Sequence, residues 1–192
     1  MKQDKTKQEV STKALTLVAL GITMNMVGGF IALQFKLPIY LDAIGTLMVA
    51  SLLGPKYALL AGIGSNLVGG FTTDPYALYF IPSQIATGFI AGLMYEKGML
   101  QGKKTPLGAL IITIPTSFIS ACIAAYVFGG ITSSGSSYIV QILKVLGVPD
   151  VISVFSTQVL TDYIDKLTGV FLVAAVLRVC PKSFKARIRH TN

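Results

Sequence analysis

The sequence predicts an all-α integral membrane protein with six transmembrane helices, both termini cytoplasmic, and a long outer loop between helices five and six. Three observations carry that expectation. The 192 residues are 53% hydrophobic and only 12% charged, against roughly 25% charged in soluble domains. The charges are clumped: after Lys13 the next is Lys36, and none falls between Lys104 and Lys144. The apolar runs between clumps, such as "GALIITIPTSFISACIAAYVFGG", do not alternate, so they fit helices of about 20 residues better than barrel strands.

The first span is placed at Ala14–Leu33, after the charged stretch 1–13. A secretory leader begins in the same way, but this run passes residue 30 without a small-residue cleavage site and is read as a retained helix. Leu41–Leu53 and Tyr57–Phe71 are short second and third spans joined by a tight turn at Gly54-Pro55-Lys56. Tyr79–Tyr95 is the fourth span, Leu107–Phe128 the fifth and Thr161–Cys180 the sixth. Residues 129–160 begin with Gly and Ser and continue with apolar segments too short or interrupted to cross. They predict a loop with a short re-entrant or surface helix, hinged at Gly129-Gly130 and Pro149, that could close over a pocket. The chain is read as one membrane domain, 14–180, between a cytoplasmic tail over 1–13 and a basic cytoplasmic tail over 181–192.

Orientation follows from the basic residues of the short loops. With the N-terminus inside, the cytoplasmic face receives 13 of the 16 Lys and Arg residues; Lys36, Lys144 and Lys166 are the exceptions. Five of the eight acidic residues, Asp42, Asp74, Asp150, Asp162 and Asp165, fall on the outer side. The net charge of +8 is therefore assigned to topology and to attraction for anionic lipid, not to nucleic acid.

No phosphate loop, H-E-x-x-H or G-x-S-x-G occurs, so no ATPase or hydrolytic activity is expected of this chain. One His and two Cys make no zinc cage, and no metal or cofactor is expected. His190 is read as a solvated tail residue. Asp162 and Asp165 are closely spaced carboxylates that are read as orienting the last helix. Small residues recur every fourth position, in Ala58-x-x-x-Gly62, Ser65-x-x-x-Gly69, Gly88-x-x-x-Gly92 and Ser117-x-x-x-Ala121-x-x-x-Ala125. Such spacing lets helices approach closely in lipid, within the bundle or against a partner.

The informative polar residues gather in the outer half. Asn25 lies in span one, Asp42 opens span two, and Asn66 lies near the outer end of span three. Asp74, Tyr76 and Tyr79 follow in "TTDPYALYF", with Gln84 a turn into span four. Tyr126 ends span five, Gln158 ends the long loop and Asp162 opens span six. Polar groups within spans should face the bundle or a watery cavity. Together they predict an outward-opening pocket with stacking surface and directional donors and acceptors, suited to a small polar ring compound. Each also has a structural reading: a turn at Asp74-Pro75, an i,i+4 pair of Asp162 with Lys166, interfacial anchoring by Tyr76 and Tyr79. Asp42 either contacts a ligand or caps the second helix and holds the first loop.

"LPIYLDAIGTLMVASLLGPKYALLAGIGSNLVGG" followed by "DPYALYFIPSQIATGFIAGLMY", within six spans and without an ATPase, resembles the S components. These are the substrate-binding membrane subunits of energy-coupling factor (ECF) vitamin transporters. The resemblance implies vitamin capture at the outer face through the first, third and fifth loops. It implies docking on a transmembrane T component that carries two cytoplasmic ATPases, and a toppling motion that delivers the vitamin inward. It places the chain in the cell membrane as a multi-pass protein, in a bacterial plasma membrane. The docking face of the family often carries A-x-x-x-A in the first span; here Ala14, Ala19, Gly21 and Thr23 stand there, with Ala19-x-x-x-Thr23 the nearest match. Within the family the chain looks most like members assigned to pyridoxine or hydroxymethylpyrimidine. Pantothenate and cobalamin are the alternatives, and a non-transport sensor or scaffold, a self-sufficient carrier and an intramembrane enzyme are the rival classes.

Overall fold

A computed structural model describes residues 12–180; most of the expected N-terminal tail and all of the basic tail 181–192, with His190, lie outside them. Every regular element among the described residues is helical: α1 (Thr12–Gln34), α2 (Ile44–Leu53), α3 (Pro55–Thr72), α4 (Ile81–Glu96), α5 (Thr105–Phe128), α6 (Ser136–Val145) and α7 (Asp150–Val179). Single 3-10 turns, Pro75–Phe80 and Gly102–Lys104, lead into α4 and α5. Proline opens α3, α4 and α5, where its missing N–H costs nothing. Gly129, at φ +59°, ends α5 in the left-handed conformation that favours glycine.

Large apolar side chains cover the outside of the molecule, and many polar ones are buried beside the apolar core. Leu15, Leu20, Val27, Phe89, Leu107, Ile114, Phe118, Phe171 and Leu172 are exposed, while Asn25, Thr46, Gln84, Thr113, Ser117, Gln158, Asp162, Asp165 and Lys166 are buried. That distribution is compatible with lipid as the solvent. Among the described residues three segments are long and apolar enough to cross a membrane: Thr12–Gln34, Pro75–Glu96 and Gly102–Phe128.

Three of the six expected spans thus qualify by length and composition alone, and the other three fall short for physical causes. The α2 helix has 10 residues and spans about 15 Å, half a hydrocarbon core; it is wrapped by other helices, with Leu47 and Val49 wholly buried. The α3 helix carries Ser65, Asn66 and four glycines in 18 residues. The α7 helix has 30 residues, about 45 Å, but places Asp162, Asp165 and Lys166 near its middle. It starts at Asp150 and not at Thr161, because the hydroxyls that dilute its first half, Ser153, Thr157 and Thr161, are buried in the bundle. Gln158 and Asp162 are therefore mid-helix residues. The predicted short helix in the long connection is α6, which packs Val140 against Ala121, Ala124 and Val154 and is tied down by Lys144 to Asp150 (3.2 Å).

Glycines set the closest helix approaches. A Cβ on Gly45 of α2 would lie 1.9 Å from the Gly21 carbonyl oxygen of α1, so these two backbones touch. A Cβ on Gly88 would lie 2.7 Å from the Ala58 oxygen, which fits α4 onto α3. The small-residue faces are thus used inside the bundle. This also divides the expected docking face: Ala14 and Gly21 are buried against the chain itself, whereas Ala19 and Thr23 are exposed.

Candidate functional site

The connections 35–43, 73–80 and 129–135 meet at one end of the bundle. Lys36 Nζ donates to the Ser133 carbonyl (3.3 Å), and the Ser133 hydroxyl donates to Asp74. Beneath them lies a cavity of about 140 Å³ that reaches down between α1, α3, α4, α5 and α7, far more than the space that admits one water.

The first connection is pinned from below. Asp165 on α7 accepts the Leu41 N–H (2.7 Å) and holds Lys166 Nζ (3.2 Å), which supports Leu41 at its unfavourable φ of +54°. Lys166 thus pairs with its neighbour Asp165, in place of the expected i,i+4 pair with Asp162. Asp162 accepts instead from the Ser117 hydroxyl of α5 (2.8 Å). Tyr40 donates to Gln158 Oε1 (2.5 Å) and shares a hydrogen bond with Ser136 (3.0 Å), joining the first connection to α6 and α7. Burial pushes its phenol well above the usual range.

Asn25 is a buried junction. Its Oδ1 accepts from the N–H groups of Gly45 (2.7 Å) and Thr46 (3.2 Å), capping α2, while its Nδ2 donates to Thr46 (2.7 Å) and Ser65 (3.2 Å). Although it lines the cavity, its amide is fully used by the protein. Asn66 donates through Nδ2 to the Ala77 carbonyl (2.9 Å) and so holds the third connection.

Asp42 and Gln84 form the centre of the wall. Gln84 Nε2 donates to Asp42 Oδ2 (3.1 Å) and to its carbonyl oxygen (3.4 Å). Asp42 precedes α2 without capping it, since that role falls to Asn25. Burial pushes its carboxyl up to about 6, against the opposing pull of Lys166 and with Asp165 and Asp162 adding to the rise. Gln84 Oε1 is buried and has no hydrogen-bond partner.

Of the ten residues expected to bind a ligand, Asn25, Asp42, Asn66, Asp74, Tyr76, Gln84, Gln158 and Asp162 line this cavity. Tyr79 and Tyr126 do not: Tyr79 packs edge-on against Phe128 (5.0 Å between centroids) and Tyr126 is 84% exposed. A 3-10 turn rotates Tyr79 away from the cavity and brings Phe80 to it, and Tyr126 lies on the outer face of α5. Tyr40, Phe80 and Phe30 supply the aromatic lining, and Lys166, Ser83, Ser120 and Ser134 join it. The sequence signal for Lys166 is that it is the one basic residue in the outer half of the last span; Tyr40 stands two residues before Asp42 in "KLPIYLD". Ser83 and Ser120 share a hydrogen bond (2.7 Å) between α4 and α5, and nothing in their spacing marks them.

No protein-family model, curated protein or solved structure matches the chain.

Proposed function

We propose that the protein is the substrate-binding subunit, the S component, of an ECF-type vitamin importer. It would capture a small ring vitamin or precursor of the pyridoxine or hydroxymethylpyrimidine type. The observation that carries the reading is the cavity roofed by the first, third and fifth connections and walled by amides, hydroxyls, carboxylates and aromatic rings. Those are the loops through which the resembled family takes its vitamins. Its volume of about 140 Å³ suits a single substituted ring and not a corrinoid, which argues against cobalamin.

In this reading all six expected segments belong to the membrane domain, with both termini in the cytoplasm. The short α2 and the polar α3 and α7 are shielded by the three apolar helices. A T component and two ATPases supply the energy, and Ala19 and Thr23, the two exposed members of the small-residue set, lie on the surface that meets the T component.

Native mass spectrometry of the detergent-purified chain against a vitamin panel tests this. One bound ring vitamin, with binding weakened by Asn66→Ala, supports the reading. A folded chain that takes no member of the panel transfers the weight to a membrane sensor or scaffold.

A further inference from the structure

The charge of the cavity wall is unbalanced. Three carboxylates line it, Asp42, Asp74 and Asp162, against one ammonium, Lys166. That ammonium is already paired with Asp165 (3.2 Å). Among the described residues none of the three lining carboxylates has a basic group within 4 Å. Their partners are neutral donors: Gln84 for Asp42, Ser117 for Asp162, Ser133 and the Tyr76 N–H for Asp74. One ammonium, already paired with Asp165, does not balance three lining carboxylates, and the wall as built favours an incoming positive charge.

A second observation, independent of charge, concerns Gln84. Its Nε2 is committed to two oxygens of Asp42, so the amide cannot be reversed without setting oxygen against oxygen. Its Oε1 is then an acceptor with fixed direction, buried on a residue 5% exposed that lines the cavity, and no protein donor reaches it. Buried acceptors find donors. The missing donor is one that a ligand brings.

We propose that the ligand is a cation with N–H donors carried on a small flat ring, an aminomethyl arene or an amidine, which donates to Gln84 Oε1 and sets its charge against Asp42 and Asp162. This rests on the binding-subunit reading above and narrows its substrate class. A ring carrying only hydroxyls would satisfy the amide oxygen but leave three carboxylates against one ammonium that is already paired.

The test uses matched pairs that differ in a protonated amine against a hydroxyl: pyridoxamine with pyridoxine, and benzylamine with benzyl alcohol. Each is titrated into the detergent-purified full chain at near-neutral pH. The expected result is that the amine of a pair binds at least about tenfold more tightly, and that Asp42→Asn removes most of the gap. Should Asp42→Asn fail to fold, Asp162→Asn carries the same comparison, because its amide oxygen still accepts from Ser117. Equal or tighter binding of the alcohols overturns the cation inference and leaves the vitamin reading standing. Benzylamine preferred over benzyl alcohol, with no vitamin bound, supports the inference and sinks the vitamin reading. No binding of any of these compounds at millimolar concentration overturns the inference.

Discussion

Gln84 donates its amide N–H to Asp42 across 3.1 Å, and that one bond fixes two groups of the cavity wall. The carboxylate is held at the cavity wall, and the amide oxygen is turned away from Asp42 with nothing in the protein to meet it. A side chain placed for packing alone would not need this arrangement, since a methionine would fill the same volume without an unmet acceptor.

Gln84→Met should therefore affect binding more than folding. Pyridoxamine affinity is expected to fall by about tenfold or more, the scale of one lost hydrogen bond to a charged group. The midpoint of thermal unfolding without ligand should change little, because removing an unsatisfied buried oxygen offsets the loss of the two bonds to Asp42. Titration and thermal unfolding on the same preparation check both halves. An unchanged affinity would remove Gln84 from the site.

Asn25 should behave in the opposite way. It accepts two N–H groups in the first turn of α2, those of Gly45 and Thr46, and donates to two buried hydroxyls. Asn25→Leu strands all of them and is expected to cost about 3 kcal/mol or more. Asn25→Asp keeps the acceptor for both N–H groups, and the hydroxyls of Thr46 and Ser65 can reverse to donate to it, so its loss should be smaller. Thermal or denaturant unfolding in detergent ranks the two. If the leucine variant is as stable as the parent, Asn25 is not the junction its bonds describe.

Much of this was legible in the sequence, and the misses share a cause. The apolar belt, the helical class, the turn at Gly54-Pro55 and the gathering of Asn66, Gln84, Asp42 and Asp74 follow from hydropathy and from the expense of polar groups in lipid. Tyr79 and Tyr126 were misplaced because an aromatic residue near a span end reads the same whether it faces a cavity or the interface; a 3-10 turn sets the choice for Tyr79. The start of α7 was hidden because Ser153, Thr157 and Gln158 look like loop residues until α5 is placed beside them. The role of Asn25 as a cap was invisible for a similar reason. Its partners lie 20 to 40 residues away, and local pattern carries no such information.

Gly45 offers a test of the packing itself. Gly45→Ala would place a methyl 1.9 Å from the Gly21 carbonyl oxygen, backbone against backbone, with no flexible side chain to yield. Overpacking of this kind costs about 1–3 kcal/mol or more, and here it would pry α1 from α2 at the level of Asn25. Gly29→Ala on α1 is the control, since its Cβ would meet only Asp42 Cβ at an ordinary 3.5 Å. The expected outcome is a marked loss of thermal stability for Gly45→Ala and almost none for Gly29→Ala. Similar midpoints for both would mean that the two helices do not meet at Gly21 and Gly45.

The last prediction concerns pH and follows from Asp42, which precedes α2 in the first connection. Its carboxyl is raised to about 6 by burial, above the ordinary value near 3.9 of an unfolded chain. The groups around it are Tyr40 on the same connection, Gln84 from α4, and Asp162, Asp165 and Lys166 from α7. A group raised on folding contributes stability that is complete below the unfolded value and is lost as pH rises through the folded one. Without ligand, this contribution is therefore present in acid and gone above about pH 6. A bound ammonium reverses the preference, because it favours the ionised carboxylate. Benzylamine stays protonated across this range, so its affinity should be level above about pH 7 and fall by up to about tenfold per unit below pH 6. The rise in unfolding midpoint that it confers should widen from acid to neutral pH in step. Asp42→Asn should flatten the pH profile, since the remaining groups are the same in both proteins. A slope that persists in that variant would assign the titration to α7 and not to Asp42.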